Sequence, residues 1–137
     1  MLIPNKTKYK KSQKGSLPTG VAIKGAIISF GKYAIKATEC GILSSNQIES
    51  TRKALARCTK RLGKIWINVF PNIPVSKKPI EVRMGKGKGA VDHWICKVKS
   101  GRILFELDGI SEQNAIEAFQ YSKGKLPIQT SLITKQT

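Results

Sequence analysis

Apolar and polar positions alternate through Lys64-Ile65-Trp66-Ile67-Asn68-Val69-Phe70, the period of a strand, until Pro71 ends it. A Pro-bounded stretch then runs through Pro74 and Pro79 to a second, shorter strand at Ile80 to Met84. His93 to Lys99 and Arg102 to Leu107 read as two further strands. Ser100-Gly101 joins them as a two-residue hairpin turn, and Asp108-Gly109 ends the hairpin. Ala26 to Glu39 carries enough Ile, Phe and Tyr for one or two strands, and Ile128 to Lys135 alternates as a last one.

Helical spacing appears twice. Ser44 followed by Gln47 is a capping-box pattern, opening a helix that runs to about Leu62 and stops at Gly63. Ile48, Thr51, Leu55, Cys58 and Leu62 share one face. Lys53, Arg57, Lys60, Arg61 and, if the helix reaches it, Lys64 fall within an arc of about 100° on the other. Only Glu49 interrupts these cations, placed to pair with Lys53 at i+4. Ser111 caps a second helix, Glu112 to about Lys123, with Ile110 set to staple onto Ala115, and with Gly124 and Pro127 as its stop. The sum is an α+β fold: a two-layer α/β sandwich of two main helices on a mostly antiparallel sheet, with a basic N-terminal extension.

Charge changes this picture from a fold to a binder. The chain has 137 residues, enough for one domain, with 25 basic and 8 acidic side chains and a net charge of +17. A compact domain so charged repels itself unless something anionic neutralises it. No apolar run approaches the ~20 residues of a membrane span, and the cations are spread along the chain, which favours nucleic acid over a lipid surface. Lys6, Lys8, Lys10, Lys11, Lys14, Lys24, Lys32 and Lys36 occur before the first acid, Glu39. Residues 1–24 are therefore expected to form a basic arm and loop, and residues 25–137 a single RNA-binding domain. The opening Met1 to Lys11 lacks the apolar core of a signal peptide and the Arg/Ser-rich pattern of a transit peptide, so it reads as mature sequence.

The densest chemistry is Arg83-Met84-Gly85-Lys86-Gly87-Lys88-Gly89. Glycine lets a backbone approach a ligand closely, while Arg83, Lys86 and Lys88 supply charge for phosphate. Ordering three glycines costs roughly 3 kcal/mol more than ordering alanines, so the segment reads as a contact finger that a partner orders. It matches the letters of a dinucleotide fingerprint, but Val91 to Cys96 continues as extended chain where that fingerprint needs a helix; a P-loop would need a Ser or Thr after Gly-Lys. Cys40, Cys58 and Cys96 are widely spaced, without a zinc pattern, and read as reduced packing thiols. His93 and Cys96 would face opposite sides of a strand, and Glu106 and Asp108 read as the solvent face of the hairpin. No cofactor, metal, small-molecule substrate or catalytic residue is expected.

Pro4-x-Lys6-Thr7-Lys8-Tyr9-Lys10-Lys11, Ser29-Phe30-Gly31, Gln47-Ile48-Glu49, Gly63-Lys64-Ile65-Trp66-Ile67, Val69-Phe70-Pro71, Lys78-Pro79, Val82 to Gly89, Leu104 to Gly109 and Lys125-Leu126-Pro127-Ile128 follow one another along the chain. Through these segments the chain resembles the bacterial and organellar large-subunit ribosomal protein L-sixteen family nearly end to end. The resemblance implies a non-enzymatic component of the large subunit, packed on large-subunit ribosomal RNA beside neighbouring ribosomal proteins. The finger Arg83 to Gly89 would reach toward tRNA near the peptidyl transferase centre, and the lysine arm and first helix would hold ribosomal RNA. Residues 16–23 and 39–43 stand where relatives usually carry arginine- or glycine-rich RNA-contacting loops, and a neighbouring protein in place of RNA there would suit a mitochondrial ribosome. Twenty lysines against five arginines fit an AT-rich genome, so the mitochondrial matrix is favoured over a bacterial cytoplasm or a plastid. The rival expectation is a free RNA-binding or RNA-chaperone module.

Phosphate contacts should dominate affinity for RNA. If ~6 to 10 cations contact phosphate, raising salt from about 50 to 200 mM should weaken binding to isolated RNA by ~10³–10⁵. A filter-binding series in salt measures that slope, and a flat response would remove the electrostatic basis of this reading.

Overall fold

A computed structural model describes residues 2–136; Met1 and Thr137, the outer ends of the expected arm and domain, lie outside the described residues. The order is β1 (Tyr33–Ala37), β2 (Gly41–Ser44), α1 (Ser45–Cys58), β3 (Lys64–Ile67), β4 (Ile73–Lys77), β5 (Ala90–Val98), β6 (Ile103–Asp108), α2 (Glu112–Lys123) and β7 (Thr130–Thr134). The architecture is α+β, with every named strand pair antiparallel. The strands divide between a four-stranded sheet, β3-β6-β1-β7, and a three-stranded one, β2-β5-β4.

Local chemistry explains where the elements begin. Ser44 Oγ accepts from Gln47 N–H while Gln47 Oε1 accepts from Ser44 N–H, completing the capping box that starts α1. Ser111 Oγ accepts from Asn114 N–H at the start of α2, and Ile110 packs against the core that contains Ala115. Ile48 and Leu55 of α1, Ala115 and Ala118 of α2, and Phe105 and Val98 from the two sheets meet in one main core.

Several expected elements change. The helix ends at Cys58, not Leu62: Lys60 and Arg61 take φ of 52° and 61°, and Arg61 N–H donates back to Ala56 C=O at 2.9 Å. Leu62 consequently leaves the apolar face and is exposed. The strand from Lys64 stops at Ile67, and the expected strand at Ile80–Met84 is absent. Ile73–Lys77 is extended instead, although it carries Pro74. As the edge of its sheet, β4 needs no N–H from that proline. Gly41–Ser44, which takes in the end of the loop expected at 39–43 and the helix cap Ser44, forms β2 on the other edge.

Ser100-Gly101 is a turn but not the tip of a hairpin, because β5 and β6 enter different sheets. Gly101 N–H donates to Ala37 C=O at 2.7 Å, and Ala37 N–H to Arg102 C=O at 2.8 Å, tying the crossing to the end of β1. Alternation identifies two adjacent strands; it does not say which neighbours they choose.

The largest correction concerns Glu106. It faces away from the main core, opposite Ala34 on β1 and Trp66 on β3, yet it is fully buried. Residues 28–31 cross this outer face and bring three backbone donors. Ser29 N–H reaches Oε1 at 3.2 Å, and Phe30 and Gly31 N–H reach Oε2 at 2.6 and 2.8 Å. Asn68 Nδ2 donates to Oε1 at 2.5 Å. Gly31 must be glycine here, since a Cβ would stand 2.5 Å from Leu107 C=O. Burial opposes the charged form, but the three backbone donors and the Asn68 amide outweigh it and hold the carboxyl below the ordinary glutamate range.

Glu106→Gln is the informative change. It replaces one acceptor oxygen by an NH₂ that must face N–H donors, so it should cost roughly 3 kcal/mol at neutral pH, read from urea unfolding. A carboxyl with a depressed folded value contributes stability that is complete above its unfolded value, about 4.3, and lost as pH falls through the folded one. The wild-type chain should therefore lose stability in that acid window, and the Gln variant should lose less. Equal acid limbs in the two proteins would mean that the charge of Glu106 does not hold the loop.

Candidate nucleic-acid interface

The glycine finger lies between β4 and β5, and residues 79–88 are all exposed. Val82 N–H donates to Pro79 C=O in a turn, and Ile80 and Met84 are 99% and 101% exposed. Their alternation has no surface to pack on, which is why the expected strand does not form. Gly85, Lys86 and Gly87 have φ of 98°, 59° and 94°, and no atom lies within 4 Å of a Cβ built at either glycine. The tip stands in open space. At the base the requirement is contact, since a Cβ on Gly89 would approach Lys77 C=O to 2.8 Å. Lys78, Val82, Arg83, Met84, Gly85 and Lys86 line a concavity of about 590 Å³, inside which Lys78 Nζ donates to Gly85 C=O at 2.5 Å. The chain after Gly89 enters strand β5, so no helix N-terminus is available to hold a pyrophosphate.

The arm and the finger, far apart in sequence, meet. Lys88 Nζ donates to Ser12 C=O at 2.7 Å, and Lys11 Nζ donates to Lys88 C=O at 3.1 Å. Lys6, Lys8, Lys10 and Lys14 are exposed along the same arm, with Lys8 Nζ 5.5 Å from the Tyr9 ring centroid. Two like-charged segments thus lie side by side, joined through backbone carbonyls.

The expected five-residue helical stripe is not one face. Lys53 and Arg57 are exposed on α1, Lys60 and Arg61 sit in the left-handed exit from the helix, and Lys64 opens β3. Glu49 pairs with Arg52 at 2.5 Å, not with Lys53, and the Arg52 hydrogen bond holds its carboxyl below the ordinary range. Among the described residues this is the one ion pair of a lysine or arginine with a carboxylate, and His93 bonds Asp92, so nearly all the cations have no internal carboxylate. These cations are exposed and are not neutralised from within the described chain.

Two groups of residues escape sequence reasoning. Tyr121 and Lys125 join Ser50, Lys53, Ala54 and Arg57 around a groove of about 170 Å³ between the helices. Lys97, Lys99 and Arg102 face residues 21–24 across a cleft of about 440 Å³. Both depend on tertiary contacts: the packing of α1 on α2, and the Ala22 N–H bond to Ser100 C=O at 2.8 Å. Periodicity within one element carries no signal for either.

Cys96 is buried, and burial pushes its thiol up to about 11, which leaves it neutral and unreactive at physiological pH. His93 bonds instead to Asp92 through Nδ1. Among the described residues no three His, Cys, Asp or Glu side chains are grouped to hold a metal ion, and no helix is long and apolar enough to cross a membrane.

Residues 4–133 match the family model described as ribosomal protein L16p/L10e. Two relatives are both called large ribosomal subunit protein uL16. That of Thioalkalivibrio sulfidiphilus (strain HL-EbGR7) is 53% identical over 135 residues, and that of Halorhodospira halophila (strain DSM 244 / SL1) is 51% identical over 135 residues. Each alignment covers 98% of this chain and 98% of the relative.

Proposed function

This chain belongs to the ribosomal protein L16p/L10e family, and from that premise we propose that its exposed cationic groups divide the work of a structural, non-enzymatic component of the large ribosomal subunit. Its partners are large-subunit ribosomal RNA and neighbouring ribosomal proteins. In our reading the arm, through Lys6, Lys8, Lys10, Lys11 and Lys14, binds ribosomal RNA together with Lys53 and Arg57 of α1, Lys60 and Arg61 at its exit and Lys64 of β3. Arg83 to Gly89 reaches tRNA near the peptidyl transferase centre. The supporting observation is the finger: ten consecutive exposed residues, 79–88, with cations at Arg83, Lys86 and Lys88 and open space around the tip glycines. A segment that only packed against the domain would bury some of its apolar residues; this one leaves Ile80 and Met84 outside.

Ribosomal RNA performs the chemistry in this scheme, and the protein contributes positioning and charge. Phosphate neutralisation supplies affinity without sequence preference, as expected of a surface most of whose cations lack internal carboxylates. The compartment we infer is a mitochondrial ribosome whose gene lies inside the organelle, on the strength of the lysine-rich composition and the apolar character of residues 16–23. Both relatives named above are bacterial, and they support the subunit, not the organelle.

The division of labour is testable. Arg83→Ala with Lys86→Ala, leaving the arm-linked Lys88 in place, should weaken tRNA binding to purified subunits by roughly tenfold, about the 1.4 kcal/mol of one charge-assisted hydrogen bond, without loss of incorporation. Lys53→Ala with Arg57→Ala should instead lower incorporation, scored by sedimentation through a high-salt sucrose gradient. The opposite pattern rejects the assignment of roles. Migration of the wild-type chain at the top of the gradient would favour a free RNA-binding module, and sedimentation with purified mitochondria or with whole bacterial lysate decides the compartment.

A further inference from the structure

One aromatic feature lies outside the phosphate contacts. The rings of Phe30 and Trp66 stack on the outer face of the four-stranded sheet, with centroids 5.9 Å apart and planes 19° from parallel. Trp66 is half-buried beneath, while Phe30 keeps 61% of its surface exposed. A lone exposed phenylalanine would mean little. This one is held. Its own N–H donates to the buried Glu106 carboxylate at 2.6 Å, the N–H groups on both sides do the same, and Gly31 lies against the β6 backbone too closely for a Cβ. The loop that carries the ring is thus fixed before any partner arrives, and little freedom is left to lose on binding.

We propose that Phe30, backed by Trp66, is a stacking platform for an unpaired RNA base. The proposal rests on the reading of this chain as an RNA-bound ribosomal component, and it adds a contact to the base where that reading supplies contacts to phosphate. A nucleobase presents a flat π-face that stacks on an aromatic ring irrespective of sequence. The surroundings suit a nucleotide better than an apolar protein side chain. Lys64 is two residues from Trp66 on β3 and therefore on the same face of the strand, and Lys32 is two residues from Phe30 with its Nζ 5.5 Å from the centroid of the Tyr33 ring. Neither lysine is in an ion pair among the described residues. Asp108, opposite Lys64 in the register, accepts from Gly109 N–H. An exposed ring whose stacking partner Trp66 shares its strand face with Lys64, on a chain of net charge +17, offers a base its stack and the adjoining phosphates their counter-charge.

The test uses the purified full chain and two probes, a short oligoriboadenylate and an abasic ribose-phosphate oligomer of the same length. The wild-type chain should prefer the base-bearing probe by about tenfold. Phe30→Trp should keep that preference, and Phe30→Leu should abolish it while binding the abasic probe as before. As a second readout that spares Phe30, Trp94→Phe leaves Trp66 as the single tryptophan, whose emission should change on adding the oligoriboadenylate and not on adding the abasic probe. Equal wild-type affinity for the two probes, a preference that survives Phe30→Leu, or unchanged Trp66 emission overturns the platform and leaves the phosphate contacts standing. Binding to neither probe overturns the platform and the RNA reading together.

Discussion

A single buried carboxylate fixes the outer half of this structure. Glu106 lies in the middle of β6, the strand that pairs with both β3 and β1, and its charge is carried by four donors from two separate segments. Without those donors a carboxylate at that position would have to surrender its proton balance or its burial. With them, residues 28–31 are drawn across a sheet face that would otherwise be wet, and the small cluster of Ile28, Ala34, Ile103 and Ile133 closes beside them. The interaction is also one of few uses of negative charge inside a chain with 25 basic side chains and 8 acidic ones. It neutralises no cation. It anchors backbone, and the cations are left for partners outside the chain.

That allocation explains the electrostatics. Arg52 takes Glu49, and His93 takes Asp92, but the arm, the finger and the outer side of α1 keep their charge. Surface ion pairs of the first kind contribute little to stability in any case. The fold is held by the apolar core between the helices and the two sheets, so removing carboxylates from the surface costs it little and raises the attraction for phosphate. The contact between Lys88 and Ser12 shows how two repelling segments are kept adjacent: lysine ammonium groups bond to carbonyl oxygens, which carry no net charge and are left by irregular chain.

Much of this was legible in the sequence wherever the deciding interaction is local. The capping box at Ser44 and Gln47, the Ser111 cap, the strand after Gly63 and the exposed glycine finger all follow from residues a few positions apart. What failed was whatever depends on a partner distant in the chain. Pro74 argued against a strand until β5 supplied an edge to pair with, and Ser100-Gly101 looked like a hairpin until Ala37 claimed its backbone. Glu106 read as a solvent residue because alternation assigned it to the face away from the core. That assignment was correct, and only the loop 75–77 residues earlier in the chain made the same face an interior. The basic stripe broke for a local reason that spacing misses, the left-handed exit at Lys60 and Arg61, and the groove with Tyr121 arises only when α1 docks on α2.

In the roles we propose for them, the finger and the Phe30 loop are opposite solutions to one problem, presenting contact groups to a large polyanion. In the finger, nothing packs where a Cβ of Gly85 or Gly87 would stand and the tip is tied to the domain through the Lys78 bond to Gly85 C=O, so order that a partner adds there costs roughly 1 kcal/mol or more per residue fixed. Such a segment suits a partner that comes and goes, because part of the binding energy is spent on ordering and release stays easy. The Phe30 loop has that cost met at folding by the Glu106 bonds, so a contact made there keeps nearly all its energy. A rigid platform suits a partner that stays. The distribution of glycine follows the same logic: at the finger tip it leaves space empty, whereas Gly31 lets two backbones close on each other, and only the second use makes a surface that waits in its bound form.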